Sequence, residues 1–161
     1  MNGERNNGKE YEKGKLVFEG EFKDGERWNG KGKGKGKKHL LFFYYDYVGD
    51  YLHGEQTGKW KEYSGDKLIF EGEYLNGERN GQGKEYSNEK LVYKGEYLNG
   101  ERNGKGKEYE NGELIFEGEY KEGEKYNGKG KDYNIVYGLV FEGEFKHGIR
   151  WKGKDLIIFL N

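Results

Sequence analysis

The sequence contains no cysteine and no proline, and methionine occurs once in 161 residues. Without cysteine the chain can form no disulfide, no zinc–thiolate site and no cysteine nucleophile. Its longest apolar runs, LLFFYY from Leu40 and LIIFL from Leu156, are far shorter than a membrane-spanning helix of roughly 20 residues. The polar start MNGERNNGKEY does not resemble a signal peptide. We therefore expect a cytoplasmic protein that is stabilised by packing.

Positive and negative charges are nearly equal in number, with 29 lysines and arginines against 30 aspartates and glutamates. The net charge of -1 argues against a generally basic nucleic-acid-binding protein. Aromatic residues make up 17% of the chain, which separates it from disordered chains of similar polarity. Thirty glycines exclude a helical protein, since each glycine destabilises a helix interior by about 1 kcal/mol relative to alanine.

The chain is an internal repeat in which the pattern aromatic-x-Gly-acid-aromatic returns six times. The central glycines recur every 23 residues from Gly49 to Gly118. Periods of this size are typical of arrays whose units bury an apolar face only against their neighbours. We expect one repeat domain over residues 1–161: a partial unit at 3–15, units 1 to 5 at 16–44, 45–66, 67–89, 90–112 and 113–137, and unit 6 with a C-terminal cap at 138–161.

Each unit has the pattern of a β-hairpin. In KLIFEGEYLNGERNGQGKEYSNE, Leu68, Phe70 and Tyr74 fall two or four residues apart, which is the period of a strand. Asn76-Gly77 follows, and Asn-Gly between alternating segments is a strong signal for a type I′ turn. The sequence therefore predicts an all-β fold: an elongated, single-layer antiparallel meander of about six stacked hairpins and about twelve strands, open-ended and twisted.

Columns of aromatic residues are the expected core. They begin at Phe18, at Phe22 and at Tyr63 and return in successive units, while the strand glycines leave room for rings to lie on the backbone. A single-layer sheet has no second layer to cover these rings, so we expect part of the aromatic face to remain reachable as a groove for a protein or peptide partner. The candidate partner-binding residues are Tyr51, Tyr74, Tyr97 and Tyr120.

The segment Tyr93 to Tyr109, YKGEYLNGERNGKGKEY, resembles the MORN (membrane occupation and recognition nexus) repeat. The match is to two aromatics around Gly95, followed by Gly100, Gly104 and Gly106. Unit 2 departs from the pattern at the last glycine, where Trp60 stands. The resemblance implies hairpins stacked into a rod or twisted trough, and a non-catalytic role in binding.

No catalytic constellation is evident, and we expect no enzyme, no cofactor and no metal site. His53 and His147 occupy the same turn position four units apart, too far to share a metal ion, and His39 lies alone in an insertion. The glutamates beside the strand glycines are expected to form cross-strand ion pairs with lysines on the outer face.

The insertion in unit 1, KGKGKGKKHLLFFYYDY, is the largest departure from the repeat. Its lysines fit a flexible, solvated loop, which is the interpretation we favour, or a contact with an anionic phospholipid surface. The apolar half that follows is expected to be a buried strand. The candidate anionic-surface residues are Lys31, Lys33, Lys35, Lys37 and Lys38.

Two functions are open from the sequence. The first is a scaffold or adaptor that binds a protein or peptide through the aromatic face, and the second is a peripheral membrane module that uses the lysine insertion and exposed aromatics. The C-terminal LIIFL, 156–160, either caps the last unit or pairs with a second copy in an end-to-end homodimer.

Overall fold

The computed structural model describes residues 3–37, 44–134 and 139–157. These residues form one open antiparallel sheet of thirteen strands whose order follows the chain, and they contain no helix. The predicted all-β meander is confirmed; one strand beyond the expected twelve comes from the partial unit. The strands are β1 (Arg5–Glu12), β2 (Lys15–Lys23), β3 (Glu26–Lys37), β4 (Tyr44–Leu52), β5 (Glu55–Ser64), β6 (Lys67–Leu75), β7 (Glu78–Ser87), β8 (Lys90–Leu98), β9 (Glu101–Glu110), β10 (Glu113–Lys121), β11 (Glu124–Asn134), β12 (Leu139–Lys146) and β13 (Ile149–Ile157).

The turn within each hairpin is a two-residue turn with both residues at positive φ. Asn76 has φ 52° and Gly77 has φ 81°, as the Asn-Gly signal predicts for a type I′ turn. The turn glycine also links neighbouring units, since the N–H of Gly100 donates to the carbonyl of Arg79 at 2.9 Å. Equivalent bonds to the preceding unit are made by Gly54, Gly77, Gly123 and Gly148.

The turn between β7 and β8 has two non-glycine residues in the left-handed backbone conformation, and a substitution by glycine should relieve this strain. Asn88 and Glu89 have φ values of 47° and 66°, whereas Gly14 and Gly112 hold the second position in the equivalent turns. A left-handed conformation costs a residue with a side chain about 1 kcal/mol. We expect Glu89→Gly to raise the free energy of unfolding by about 1 kcal/mol in urea denaturation, and Glu110→Gly, at an extended strand position, to lower it. Equal effects would contradict this account of the turn.

The core is a continuous ladder of aromatic rings on one face of the sheet, which we call the ring face. Successive ring centroids lie 5.0 to 6.0 Å apart, and most contacts are edge-to-face. Such pairs stabilise by about 0.5–1.5 kcal/mol each beyond burial. The ladder runs Phe22, Phe18, Tyr51, Trp60, Tyr74, Phe70, Tyr97, Tyr93, Tyr120, Phe116, Phe145, Phe141.

The strand glycines make room for these rings. A Cβ atom on Gly83 would lie 2.8 Å from ring atoms of both Phe70 and Tyr97. Trp60, in place of a glycine in unit 2, rests on Gly49 and donates its indole N–H to the carbonyls of Asp50 and Thr57 at 3.0 and 2.9 Å. The departure of unit 2 from the repeat therefore extends the ladder.

The third predicted column of aromatics is not part of this core. Counting alternately from Gly83 along β7 puts Glu85 on the ring face and Tyr86 on the opposite face. There the Tyr86 hydroxyl donates to Glu71 at 2.8 Å, and Tyr133 is 37% exposed. The expectation that Tyr63, Tyr86, Tyr109 and Tyr133 join the core is wrong.

The last described strand, β13, pairs with β12 and lies at the edge of the sheet. Its Ile149 and Trp151 are 58% and 60% exposed. Residues 158–160 of the predicted cap lie outside the described residues. The end-to-end homodimer stays a prediction.

Candidate functional site

The four tyrosines predicted to bind a partner all lie in the ring ladder, but they are not equally accessible. Tyr97 and Tyr120 are only 4% and 3% exposed, so the expectation that the open face leaves them reachable is wrong; Tyr51 and Tyr74 are half-buried. The hydroxyls of Tyr74, Tyr97 and Tyr120 donate to carboxylates of the preceding unit, Glu62, Glu85 and Glu108 respectively.

Each of these carboxylates also binds a basic side chain of the following unit, and we call the three-residue group a clasp. Arg102 donates to both oxygens of Glu85, at 3.1 Å from Nε and 2.7 Å from Nη2, and its guanidinium carbon lies 4.1 Å from the centroid of the Tyr93 ring. Arg79 repeats the arrangement on Glu62 and Phe70. The clasps cover the rings with charged groups already paired, so the ring face is a poor docking surface.

Ionisation within the clasps follows from burial and pairing. Burial raises the pKa of Glu85, but hydrogen bonds from Arg102 and Tyr97 outweigh it and hold that pKa below the ordinary carboxyl value. Burial and the Glu85 carboxylate raise the pKa of Tyr97, and burial raises the pKa of Tyr93 to about 12. At neutral pH the carboxylate is charged and the phenols are neutral, which suits a structural ion pair rather than proton transfer.

At the junction between units 1 and 2, neither the carboxylate nor the basic residue of the clasp is present. Gly34 pairs with Tyr47 where Glu85 pairs with Tyr93, so glycine holds the carboxylate position. In unit 2, Gln56 pairs with Tyr51 and stands where the other complete units have arginine or lysine. The junction between units 1 and 2 therefore has no clasp, but it keeps the ring contact of Phe18 with Tyr51 and a hydrogen bond from Arg27 to the Tyr51 hydroxyl at 3.5 Å.

The opposite face, which we call the charged face, carries the predicted cross-strand ion pairs. Glu71 lies between Lys61 and Lys84, at 3.6 and 2.8 Å, and Lys107 bonds Glu117 at 2.8 Å. Lysines come from the second strand of a hairpin and glutamates from the first, so the signs alternate. From β3 to β11 this row reads Lys33, Val48, Lys61, Glu71, Lys84, Lys94, Lys107, Glu117 and Lys129.

Two positions break the alternation. Val48 and Lys94 stand where the register calls for an acid, so the row from β3 to β9 holds five lysines and one glutamate. Lys94 is paired in register with Lys84 on one side and Lys107 on the other. In the part of the chain that the structure describes, Lys94 makes no ion pair. We call the stretch from Lys33 to Lys107 the lysine row.

An open depression of about 570 Å³ lies on the charged face at this break. Val48, which is 47% exposed, supplies an apolar contact at one side. Five lysines and three acids reach the depression, so its lining is positive. The charged side chains are Lys31, Lys59, Lys61, Lys84, Lys94, Asp50, Glu71 and Glu73.

The lysine insertion is a strand rather than a loop as far as Lys37. Strand β3 continues through it and pairs with β4 up to Lys37 opposite Tyr44, so the flexible-loop expectation is wrong for residues 31–37. Lys31 and Lys33 are exposed and continue the positive region of the charged face. The side chains of Lys35 and Lys37, all of Lys38, and Leu40 to Phe43 of the predicted buried strand lie outside the described residues.

The histidines take part in aromatic contacts. His53 lies against Trp28 and His147 against Tyr126, with ring centroids 5.3 and 5.7 Å apart. In residues 3–37, 44–134 and 139–157, no three His, Asp or Glu side chains are grouped to hold a metal ion. The same residues include no helix that is long and apolar enough to span a membrane.

Comparison with protein-family models gives no match to this chain, and no curated protein has a significantly similar sequence. The resemblance to the MORN repeat therefore stays a prediction. The hairpin meander is compatible with it.

Proposed function

We propose that the chain is a non-catalytic scaffold that binds a protein partner, and that the partner presents an extended acidic segment to the lysine row. The observation that carries the proposal is the replacement of acids by Val48 and Lys94 at the depression. The binding surface is thus the charged face rather than the aromatic face expected from the sequence.

The energetics of the sheet favour this interpretation. Lys84, Lys94 and Lys107 are on adjacent strands, about 4.8 Å apart, and like charges directly opposite each other destabilise a sheet. A glutamate at position 94 would restore the alternation. A bound carboxylate segment would relieve the same repulsion, so the charge pattern supports a role in binding.

The test uses poly-L-glutamate as the probe and fluorescence anisotropy as the measurement. We expect Lys94→Glu, which restores the alternation, to weaken binding at least tenfold, a loss of about 1.4 kcal/mol. Lys152→Glu is the matched control: it makes the same charge change on β13, five strands away, at an exposed lysine. Wild-type binding should also weaken as salt rises.

Equal losses in the two variants would show that only overall charge matters, and unchanged binding by Lys94→Glu would overturn the proposal.

A peripheral membrane function is the second candidate, favoured by the exposed Lys31 and Lys33 on β3. Each lysine near an anionic surface contributes about 1 kcal/mol. Co-sedimentation with phosphatidylserine vesicles distinguishes the two: salt-sensitive vesicle binding that is lost in Lys31→Glu/Lys33→Glu, with no poly-L-glutamate binding by the wild type, would replace the scaffold proposal.

A further inference from the structure

An exposed leucine immediately precedes the hairpin turn in units 2, 3 and 4. Leu52, Leu75 and Leu98 are 49%, 51% and 49% exposed, and we call them the leucine stripe. Units 1, 5 and 6 carry lysine at the same position: Lys23, Lys121 and Lys146. The fold therefore accepts a charged residue there, so the three leucines are not required by the hairpin.

A glutamate accompanies each leucine. Leu52 pairs with Glu55, Leu75 with Glu78 and Leu98 with Glu101 across the hairpin ends. The three glutamates are exposed, and no lysine or arginine of the described ranges forms an ion pair with them. The margin of the sheet along these turns is thus both apolar and negative.

The spacing of the stripe matches an α-helix. Leucines in successive units are two strands apart, about 9.6 Å. Residues seven apart on a helix are about 10.5 Å apart. A partner in an extended conformation cannot add a β-strand along this margin, because the stripe runs across the strands and not parallel to them. The turn backbone is also occupied, since the N–H of Gly77 already donates to the carbonyl of Gln56 at 3.0 Å. A helix satisfies its own backbone hydrogen bonds and needs only side-chain contacts.

We propose that the leucine stripe binds an amphipathic helix of a protein partner, with apolar residues at seven-residue intervals and lysine or arginine on both flanks. Glu55, Glu78 and Glu101 select the basic flanks by charge complementarity. The same glutamates repel an anionic membrane surface, which sets the occupant apart from a lipid. This surface is separate from the lysine row, and its occupant has the opposite charge.

The test uses a synthetic three-heptad peptide with a leucine face flanked by lysines, and a matched peptide flanked by glutamates. Binding is followed by isothermal titration calorimetry with the full chain carrying Lys94→Glu as the reference protein for all stripe variants, so that the glutamate-flanked peptide is not captured by the lysine row. We expect the lysine-flanked peptide to bind and the glutamate-flanked peptide to bind at least tenfold more weakly. Leu75→Lys/Leu98→Lys should reduce binding at least tenfold without loss of folding, since units 1, 5 and 6 carry lysine at this position.

Two further variants test whether the glutamates select the peptide by charge and whether binding is confined to the leucine stripe. Glu78→Lys/Glu101→Lys should reverse the preference between the peptides, and Leu114→Lys, at a leucine that is 48% exposed outside the stripe, should bind as the reference protein does. The proposal fails if the reference protein binds neither peptide or both equally, or if Leu114→Lys weakens binding as much as the stripe variant.

It fails equally if sedimentation shows that the wild type self-associates or binds vesicles and that Leu75→Lys/Leu98→Lys abolishes this association. Either result would assign the stripe to a second copy of the chain or to a membrane. None of these results affects the acidic-segment proposal, which has its own probe and variants.

Discussion

Gly95→Val is expected to destabilise the sheet by about 3 kcal/mol or more, at the upper end of the range for overpacked cores. A Cβ at Gly95 would lie 2.4 Å from the Tyr93 hydroxyl, 2.6 Å from the Lys105 carbonyl oxygen and 2.7 Å from the Cα of Gly106. Two of these atoms belong to the backbone of β9, so relief requires the β8–β9 pairing to open.

The matched control is the neighbouring Lys94→Val. Lys94 is on the charged face and exposed, and valine suits a strand. The substitution also removes a charge that stands between Lys84 and Lys107, so we expect stability to stay the same or rise. Urea denaturation of both variants makes the measurement. Similar losses at the two positions would show that the faces of β8 are assigned the wrong way round.

Arg102→Ala is expected to cost about 2–3 kcal/mol of unfolding free energy, less than the 3–5 kcal/mol for breaking a fully buried ion pair. The expected loss is smaller because the Arg102 and Glu85 side chains are each 23% exposed, and solvent screens their interaction. The loss combines the bidentate hydrogen bonds to Glu85 with the stacking of the guanidinium on Tyr93. Arg102→Lys should cost less, since Lys125 bonds Glu108 at 2.9 Å in the equivalent clasp.

The pH dependence of this loss identifies its origin. The pKa of Glu85 is lowered in the folded protein, so its contribution is present above the unfolded carboxyl pKa of about 4.3 and is lost as pH falls through the folded value. The difference in Tm between wild type and Arg102→Ala should be largest near neutral pH and shrink below about pH 4. It should not vanish, because stacking on Tyr93 does not titrate. A pH-independent difference would contradict the assignment to the ion pair.

The fold was predictable because its signals are local. Asn76-Gly77 specifies a type I′ turn, and the two-residue period of Phe70, Gly72 and Tyr74 specifies a strand. Repetition of these signals leaves an up-and-down meander as the simplest topology. The place of Tyr86 outside the core is also predictable, since alternation from Gly83 puts Glu85 and not Tyr86 on the ring face.

The clasps and the lysine row were harder to predict because they depend on register. Glu85 and Arg102 are 17 residues apart and two strands apart in the sheet, and an irregularity between Gly72 and Tyr74 in the equivalent hairpin shifts the pairing. The position of Lys94 between Lys84 and Lys107 likewise appears only when β7, β8 and β9 are aligned. Sequence alone shows the lysine at position 94 without showing what lies beside it.

The missing clasp between units 1 and 2 bears on how the array unfolds. In a nearest-neighbour description of a repeat protein, cooperativity depends on the coupling energy at each junction. The junctions spanned by Glu62, Glu85 and Glu108 contain an ion pair and a tyrosine hydrogen bond, whereas the junction at Gly34 and Gln56 contains neither charged member. That junction is linked instead by a hydrogen bond from Arg27 to the Tyr51 hydroxyl at 3.5 Å, by the bond from the Gly54 N–H to the Trp28 carbonyl and by the ring contact of Phe18 with Tyr51. Its coupling should therefore depend less on pH and salt than that of the junctions with clasps.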